Sequence, residues 1–334
     1  MPAAFNLEYV AANQEDRADN LIKGNNREVV GQLQKDIEQF RTREGVDSVI
    51  VLWTANTEKF YLPEIESLAD LEAKLDDNSP LPASVLYAYA SLKQNAVFLN
   101  GSPQNTLHPG VLELAHKVGG FVGGSDFKSG QTRFKTIMSD FLIGAGLRLS
   151  SVVSYNHLGN NDGKNLSEPA TFRSKEISKA SVIDDAIKSN PILYPPPTEE
   201  EKGEPRNKVD HCVVIKYVPY VGDSKRALDE YSSEIFLGGL NTISSYNVCE
   251  DSLLAVPIMI DLVVLGEFLS RVRMDGKSLG PVLSYLSFFF KAPVTNHAEY
   301  VVNSFSKQRE MLGNFLKICA GYVPDDATLG HAHF

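Results

Sequence analysis

The sequence predicts an α/β fold in which an incomplete, doubly wound parallel sheet precedes an α+β domain. Three short apolar runs with strand character occur early in the chain, at residues 47–53, 96–100 and 120–124. Helical patterns separate these runs, and each run ends in a polar loop. Strands and helices that alternate in this way form parallel sheets whose two faces are covered by helices.

The helices predicted for this first half span residues 26–43, 81–94 and 109–117. The polar loops that follow the strands begin at Thr54, Asn100 and Ser125. Ligands of open α/β sheets bind outside the carboxyl ends of the strands. We therefore expect a binding site at these loops, although ordinary turns have a similar composition.

The second half of the chain has a different pattern from about Phe134 onward. A helix is predicted at 134–142, a strand at 149–155, a long helix at 174–188 and a proline-rich acidic loop at 194–205. Further strands are predicted at 211–218, near 234–237 and near 242–248. Because no helices of comparable length separate these strands, we expect an α+β domain with antiparallel pairing. The last predicted helices span 251–273, 281–290 and 302–319.

The composition excludes several classes of protein. With 334 residues, 43% of them hydrophobic, the chain can bury a large core, and its net charge of −10 argues against a nucleic-acid partner. Cys212, Cys249 and Cys319 have no spacing that suggests disulfides or a metal site, so we expect a reducing cytosol. The N-terminus lacks a signal-peptide pattern. The apolar stretch 253–269 contains a proline and two acidic residues, so we expect a buried helix there and no membrane partner.

One region has the composition of a sugar-phosphate site. Residues 154–163 crowd amide and carboxylate side chains into a glycine-bounded loop, and Lys175 and Lys179 follow four residues apart. On a helix the two ammonium groups share one face, which is unfavourable unless an anion lies nearby. Hydrogen-bonding groups for hydroxyls and cations for a phosphate are what a phosphorylated sugar requires.

The chain resembles the myo-inositol-1-phosphate synthase family over nearly its whole length. The resemblance lies in residues 52–58, 100–106, 123–132, 154–163, 172–179, 223–225, 249–254 and 306–309. It implies a Rossmann-type NAD-binding domain and an α+β tetramerisation and active-site domain. It also implies NAD-dependent conversion of glucose 6-phosphate to inositol phosphate by oxidation, enolisation, aldol cyclisation and reduction.

The resemblance assigns roles to four lysines. Each step of the reaction develops negative charge on a sugar oxygen, which a fixed ammonium group stabilises. Lys175 and Lys307 are expected to face the oxygen on carbon 5, Lys225 to polarise oxygens during ring closure, and Lys179 to bind the phosphate. Lysines in a desolvated, cation-rich site also exchange protons near neutral pH. The alternative for each lysine is a solvated surface position.

The same motifs supply further candidates. Asp126 and Asp251 are expected to orient a lysine or the nicotinamide ribose, and Asp251 also suits a helix N-cap. The candidate substrate ligands are Asn156, Asn160, Asp162, Ser129, Gly130 and Gln131, of which the first three also suit a purely structural turn. The candidate cofactor contacts are Thr54, Ala55, Asn56, Thr57, Gly101, Ser102, Asp126 and Asp251. No metal site is predicted.

The domain boundaries that the resemblance implies are 1–132 for the remaining part of the NAD-binding domain, 133–254 for the tetramerisation and active-site domain, and 255–334 for helices that return to the first. No glycine-rich phosphate loop of the usual dinucleotide-binding pattern occurs, so we expect the chain to start inside the cofactor domain. Two functions stay open. One is a cytosolic, homotetrameric enzyme of inositol and phosphatidylinositol synthesis, and the other is an inactive isoform or paralogue that modulates full-length subunits.

Overall fold

The computed structural model describes residues 2–196, 208–295 and 301–325, and its first half is built on a three-stranded parallel sheet. In chain order the elements are α1 (Asn26–Glu44), β1 (Ile50–Trp53), α2 (Leu68–Asp76), α3 (Ala83–Lys93), β2 (Val97–Asn100), α4 (Pro109–Val118) and β3 (Val122–Gly124). The strand order is β1-β2-β3, with Leu52 opposite Leu99 and Leu99 opposite Gly123. The predicted α/β class is confirmed.

Local signals explain where the first helix begins and ends. Asn25 accepts a hydrogen bond from the Glu28 N–H, and the Glu28 carboxylate accepts one from the Asn25 N–H, which together form a capping box. Gly45 ends the helix in the left-handed region, at φ 62°, where glycine has no steric penalty.

Helices cover both faces of this sheet because successive strand residues point to opposite sides. Phe98 belongs to one buried cluster with Leu33 of α1 and Leu114 of α4. Its neighbour Leu99 belongs to a separate cluster with Leu262 and Leu312 from the C-terminal helices. The polar loops after the strands therefore meet at one edge of a buried sheet.

The second sheet is mixed, with strand order β5-β4-β6-β7. The elements of this part are α5 (Gly130–Gly144), β4 (Arg148–Leu158), α6 (Asn161–Asn165), α7 (Pro169–Lys188), β5 (Asp210–Tyr217), β6 (Ser224–Glu234) and β7 (Leu240–Glu250). The predicted antiparallel pairing holds for β4 with β6 and for β6 with β7. The β4–β5 pair is parallel, since α7 lies in the long crossover that parallel neighbours require.

The two faces of the second sheet differ in burial. Ala227, Asp229 and Tyr231 of β6 are buried on the face toward α5 and α7. Leu228, which lies between them in sequence, is 49% exposed, and Tyr246 of β7 is 64% exposed. One face of the second sheet, which carries exposed apolar side chains among polar ones, is therefore open to solvent in the part of the chain that the structure describes.

The C-terminal elements are α8 (Asp251–Arg271), the short strands β8 (Arg273–Met274) and β9 (Lys277–Ser278), a 3-10 helix at Ser284–Phe289, and α9 (Phe305–Cys319). By length and composition alone α8 could cross a membrane. The expectation of a buried helix holds for one face only. Ile258 and Leu262 are buried, whereas Ile260 and Val264 are 59% and 60% exposed.

Several other element predictions differ from the structure. The strand expected near 234–237 is the turn between β6 and β7, where Leu237 has φ 57°. The sequence pattern misses β6 because charged residues interrupt its alternation, and it misses α2. The helix expected at 281–290 is mostly the 3-10 helix, and β4 continues through Leu158, so Asn156 lies on a strand. Most of the predicted acidic loop lies outside the described residues.

Candidate active site

The strand-end loops of the first sheet open into a cleft of about 270 Å³ that is also lined by residues of β4 and α7 from the second sheet and its helices. Its lining residues are Thr54, Ala55, Asn56, Thr57, Gly101, Ser102, Pro103, Asp126, Phe127, Ser129, Leu158, Asn160, Asp162, Lys175, Asp251, Ser252, Ala255, Met259 and Lys291. The cleft thus lies where the strand-end rule for α/β sheets predicts a ligand.

Asp126 is the centre of a charged group in this cleft. It follows β3 and is 2% exposed. Its Oδ1 accepts hydrogen bonds from the Nζ of Lys175 at 3.1 Å and the Nζ of Lys291 at 2.9 Å. Its Oδ2 accepts a hydrogen bond from the Ser178 hydroxyl at 2.6 Å. Two ammonium groups therefore share one buried counter-charge.

This sharing determines how the group titrates. Burial disfavours the Asp126 carboxylate, but the charges of Lys175 and Lys291 outweigh burial and lower its pKa to about 2. Burial also disfavours the charged form of Lys175, but Asp126 and then Asp162 outweigh it and raise the pKa of Lys175. Burial lowers the pKa of Lys291, and Lys175 adds to that effect against the opposing charge of Asp126. Lys175 therefore holds its proton firmly, and Lys291 releases its proton more readily.

A second ion pair lies where α8 begins. Lys225 of β6 is 8% exposed, and its Nζ is 2.8 Å from Oδ2 of Asp251. Burial raises the pKa of Asp251, but Lys225 outweighs it and the net shift is downward. Asp251 is the first residue of α8, and the N-cap position belongs to Glu250. A Cβ on Gly130 would lie 2.7 Å from Asp251 Oδ1, so α5 can begin beside this carboxylate only with glycine there.

Lys179 is 1% exposed, and the acceptor that the structure gives it is neutral. Its Nζ donates to Oε1 of Gln131 at 3.0 Å, while Nε2 of Gln131 donates to Oδ1 of Asp229 at 2.8 Å. Burial lowers the pKa of Lys179 well below its ordinary value, and the charges of Lys225 and Lys135 lower it further. A buried amine with cationic neighbours and an amide acceptor is suited to receive an anion.

The two asparagines predicted as substrate ligands within residues 154–163, Asn156 and Asn160, have different surroundings. Asn160 lines the cleft, donates to Asp223 Oδ1 at 3.0 Å and caps α6 by accepting from the Gly163 N–H. Asn160 therefore combines a structural role with its place in the cleft, and Asp162 also lines the cleft. Asn156 is buried on β4 outside the lining, donates to the Val214 carbonyl, and has no hydrogen-bond partner at Oδ1 in the described residues.

All eight residues predicted to contact the cofactor line the cleft, namely Thr54 to Thr57, Gly101, Ser102, Asp126 and Asp251. The Ser102 hydroxyl donates to the Ala55 carbonyl at 2.6 Å, which joins two strand-end loops. A second cavity of about 470 Å³ shares Ala55, Asn56 and Thr57 with the cleft. Gln14 and Arg17 line this second cavity, and no sequence motif marks either of them.

Lys307 does not join the other lysines. It is exposed near the start of α9 and lines a separate cavity of about 400 Å³ with Asp140 and Ser304. The hydroxyls of Ser304 and Ser306 donate to Asp140, which lies about 15 Å along α5 from the end at the cleft. These bonds hold the start of α9 away from the cleft. The role predicted for Lys307 at the carbon 5 oxygen is therefore wrong.

Lys291, and not Lys307, is the second lysine that contacts Asp126 beside Lys175. The Lys291 N–H donates to the Asp126 carbonyl at 2.8 Å, and the N–H of Ala292 and of Val294 donate to the carbonyls of Ser125 and Gly124. The segment that carries Lys291 therefore runs along the backbone after β3. Neither a helical nor a strand pattern marks this segment, which explains why the sequence analysis misses Lys291.

Comparisons with known proteins agree on one family. A model named for NAD binding and described as myo-inositol-1-phosphate synthase matches residues 1–317. Inositol-3-phosphate synthase 1 of Populus euphratica is 51% identical over 336 residues, which is 98% of this chain and 64% of the relative. The human protein of the same name is 52% identical over 337 residues, which is 98% of this chain and 59% of the relative.

Solved structures give the same result. The crystal structure of inositol-3-phosphate synthase from Caenorhabditis elegans matches with a TM-score of 0.90 and 45% identity, over 98% of this chain and 64% of that chain. A myo-inositol-1-phosphate synthase-related protein from Thermotoga maritima, 23% identical with a TM-score of 0.70, shares the fold. The chain spans about three fifths of the length of the curated relatives it matches.

Proposed function

Because the chain belongs to the myo-inositol-1-phosphate synthase family, we propose that it acts as an inositol-3-phosphate synthase. The proposed reaction converts D-glucose 6-phosphate to 1D-myo-inositol 3-phosphate with NAD as the cofactor. The observation that carries the proposal is the buried group of Asp126, Lys175 and Lys291 in the cleft at the strand ends. Oxidation and later reduction at one carbon require a group that takes and returns the hydroxyl proton and tolerates charge on the oxygen.

The residues of the two cavities fit a dinucleotide. Ala55, Asn56 and Thr57 line both cavities, so an elongated ligand can reach from one into the other. Thr54 to Thr57, Gly101 and Ser102 would hold NAD at the strand ends, beside Asp126. NAD, when bound, supplies the hydride acceptor for oxidation at carbon 5 and the hydride donor for the final reduction.

Lys175 and Lys291 are proposed to handle the proton of the carbon 5 hydroxyl. Because the two lysines share Asp126, one of them holds its proton less firmly and can lose it. The neutral amine that results can accept the hydroxyl proton, while the other lysine, still an ammonium group, stabilises the oxygen. The same amine can return the proton when the ketone is reduced, so no net proton is consumed between these two steps.

Lys225 is proposed to polarise the carbon 1 oxygen during ring closure. Asp251 holds the Lys225 ammonium group at 2.8 Å and lines the cleft itself. Negative charge develops on the aldehyde oxygen when the carbon–carbon bond forms, and a fixed cation lowers the energy of that transition state.

The phosphate of the substrate is proposed to bind between Lys179 and the start of α5. Residues 129–131 form the start of this helix, where the backbone N–H groups have no partners within the helix and favour an anion. Lys179 contributes a positive charge, which its hydrogen-bond partner, the neutral amide of Gln131, does not compensate. An anion here would stabilise the charged form of Lys179 and so offset the effect of burial.

The direct test is turnover by the purified protein supplied with glucose 6-phosphate and NAD. We expect inositol phosphate by chromatography and no net accumulation of NADH, because the reduction returns the hydride. Lys175→Met should lose on the order of 100-fold in turnover, and Lys188→Met, on the exposed face of the same helix, should leave it unchanged. A folded, NAD-binding protein that forms no product would favour the alternative of an inactive assembly partner.

We also propose that the protein assembles into a homo-oligomer, a tetramer in the full form of the hypothesis. The support is the apolar surface of the second sheet and of α8. Leu228, Tyr246, Ile260 and Val264 are each about half exposed or more, and β5 and β7 are the edge strands of the described sheet. Contiguous apolar surface and unpaired sheet edges are typical of subunit contacts.

Light scattering of the purified protein tests the assembly. We expect an oligomeric mass that falls when a charge is introduced by Ile260→Glu. Leu62→Glu, which replaces an apolar residue that is 71% exposed on the other domain, should not change the mass. A wild-type monomer at micromolar concentration would contradict the proposal.

The domain boundaries at 132 and 254 and the cytosolic location also remain proposals. The packing of Leu99 with Leu262 and Leu312 supports the return of the C-terminal helices to the first domain. The three cysteines are unpaired, which is usual in a reducing compartment.

A further inference from the structure

We propose that Lys135 is a positioning residue of the phosphate subsite. Lys135 does not contact the anion itself, but it determines the charge that Lys179 carries before an anion binds. This inference rests on the proposed function, since it concerns the same subsite. Lys135 lies four residues after Gln131 on α5, so the two side chains are neighbours on one face of the helix.

The surroundings of Lys135 are unusual for a lysine. Its side chain is 0% exposed, and its Nζ is 3.0 Å from Nε2 of His211 on β5. Burial lowers the pKa of His211 to about 3, with Lys135 and Lys179 adding to the effect. The ring is therefore neutral, and its Nε2 accepts the hydrogen bond from the Lys135 ammonium group. The His211 Nδ1 then carries the proton, and it has no hydrogen-bond partner in the described residues.

A chain of contacts joins this pair to the subsite. Asp229 adds a charge that favours the ammonium form of Lys135, and it accepts a hydrogen bond from Nε2 of Gln131. Because the amide NH₂ of Gln131 faces this carboxylate, its Oε1 must face Lys179. Asp229 therefore fixes the orientation of Gln131 that places Lys179, and Lys135 supplies the cation beside Asp229.

The charges around Lys179 come from every element packed on it. The cations are Lys135 of α5, Lys175 of α7, Lys225 of β6 and Lys291 of the segment after the 3-10 helix. The nearest carboxylate in the contact chain is Asp229, which the amide of Gln131 separates from Lys179. Burial lowers the pKa of Lys135 to about 8, with Lys225 contributing. Lys135 is therefore charged below about pH 8 and disfavours a second charge on Lys179 in that range.

The test measures how the affinity for sulfate depends on pH. Sulfate stays a dianion from pH 6 to pH 10, so any pH dependence belongs to the protein. In the wild type the affinity should fall as the lysines lose protons. A like charge about 10 Å away shifts a pKa by about one unit at an effective dielectric constant of about 20. In Lys135→Met the fall should therefore move upward by about one pH unit, while the affinity at pH 6 drops several-fold.

Matched variants separate this role from a structural one. Lys135→Arg keeps a positive charge at every pH, so its sulfate affinity should fall at the same pH as in the wild type or at a lower one. Lys188→Met, a neutralised exposed lysine on α7, should leave the whole curve unchanged. Lys135→Gln can still bond to His211 and replaces Lys135→Met if the latter does not fold.

The proposal would be overturned if the variants lost sulfate affinity by the same factor at every pH. It would also be overturned if, in both Lys135→Met and Lys135→Gln, the affinity fell at the same pH as in the wild type. Because sulfate binding needs neither NAD nor turnover, the outcome is separate from the fate of the proposed reaction. A wild type that binds sulfate but forms no inositol phosphate would contradict the proposed function while still testing Lys135.

Discussion

Asp126→Asn is the change that tests the centre of the site most directly. Asparagine keeps the size of the side chain and tolerates the φ of 61° that Asp126 adopts. It also keeps an oxygen that can accept hydrogen bonds from both ammonium groups. What the variant removes is the negative charge that Lys175 and Lys291 share.

The magnitude follows from the pKa of the carboxyl. In the folded protein the pKa is about 2, against an ordinary value of 3.8. A carboxylate with a lowered pKa stabilises the fold above its unfolded pKa, and this stabilisation is lost as the pH falls through the folded value. A difference of nearly two units corresponds to roughly 2–3 kcal/mol above about pH 4. Leaving two buried ammonium groups unpaired raises the expected loss at pH 6 to about 3–5 kcal/mol.

The loss should depend on pH in the variant. Without Asp126, burial acts on Lys175 against only the smaller charge effects of Asp162 and Asp251, so we expect its folded pKa to fall below the unfolded value of about 10.4. A lysine of this kind destabilises the folded state at low pH, and the penalty shrinks as the pH rises toward the unfolded pKa. Asp126→Asn should therefore recover at least about 1 kcal/mol between pH 6 and pH 9.

Denaturant unfolding of both proteins at pH 6 and pH 9, at equal protein concentration, measures these differences. Ser178→Ala is the control, because it removes one hydrogen bond to Asp126 and should cost about 1 kcal/mol at both pH values. Turnover should fall on the order of 100-fold or more in Asp126→Asn. A loss no larger than that of Ser178→Ala, or one that does not change with pH, would refute the reasoning.

Three further expectations follow from the structure. Lys291→Met should lose on the order of 100-fold in turnover whereas Lys307→Met stays within about twofold; equal effects of the two in parallel assays would contradict the placement of Lys291. Burial lowers the pKa of Lys128 to about 7, so Lys128 should contribute on the order of 2 kcal/mol of unfolding free energy to the wild type between pH 7 and pH 9, and Lys128→Met should lack that contribution. Burial raises the pKa of Glu58 to about 7, so its charge destabilises the fold above about pH 7, and Glu58→Gln should unfold at a higher temperature than the wild type at pH 8 but not at pH 5.

The sequence predicts the first half of the chain well because its signals are local. The bounds predicted for α1, α3 and α4 lie within two residues of those observed, since caps, breaks and apolar periodicity mark each helix. The strand-end loops at residues 54–57 and 101–102 also line the cleft as expected. A parallel sheet with covered faces leaves few alternatives for where such loops lie.

The active-site lysines show which placements cannot be predicted from local sequence patterns. Lys175 and Lys179 were predictable because four-residue spacing on one helix fixes their relative placement. Lys307 also lies on a helix, α9, but hydrogen bonds from Ser304 and Ser306 to Asp140 place the start of that helix away from the cleft. Lys291 reaches Asp126 across 165 residues, through an extended segment without periodicity. Only the packing of the whole chain decides between two lysines of this kind.

The charge balance of the site explains why an anion belongs there. Among the described residues, the amines of Lys135, Lys175, Lys179, Lys225 and Lys291, which are buried or nearly so, share the carboxylates of Asp126, Asp162, Asp229 and Asp251. The chain as a whole carries a net charge of −10, so this concentration of cations is local. An excess of buried cations lowers the stability of the empty site, and a bound phosphate offsets that excess directly. A ligand that binds the folded state alone stabilises it in proportion to the logarithm of its concentration over its Kd. The same excess that weakens the fold therefore strengthens the binding of a phosphorylated substrate.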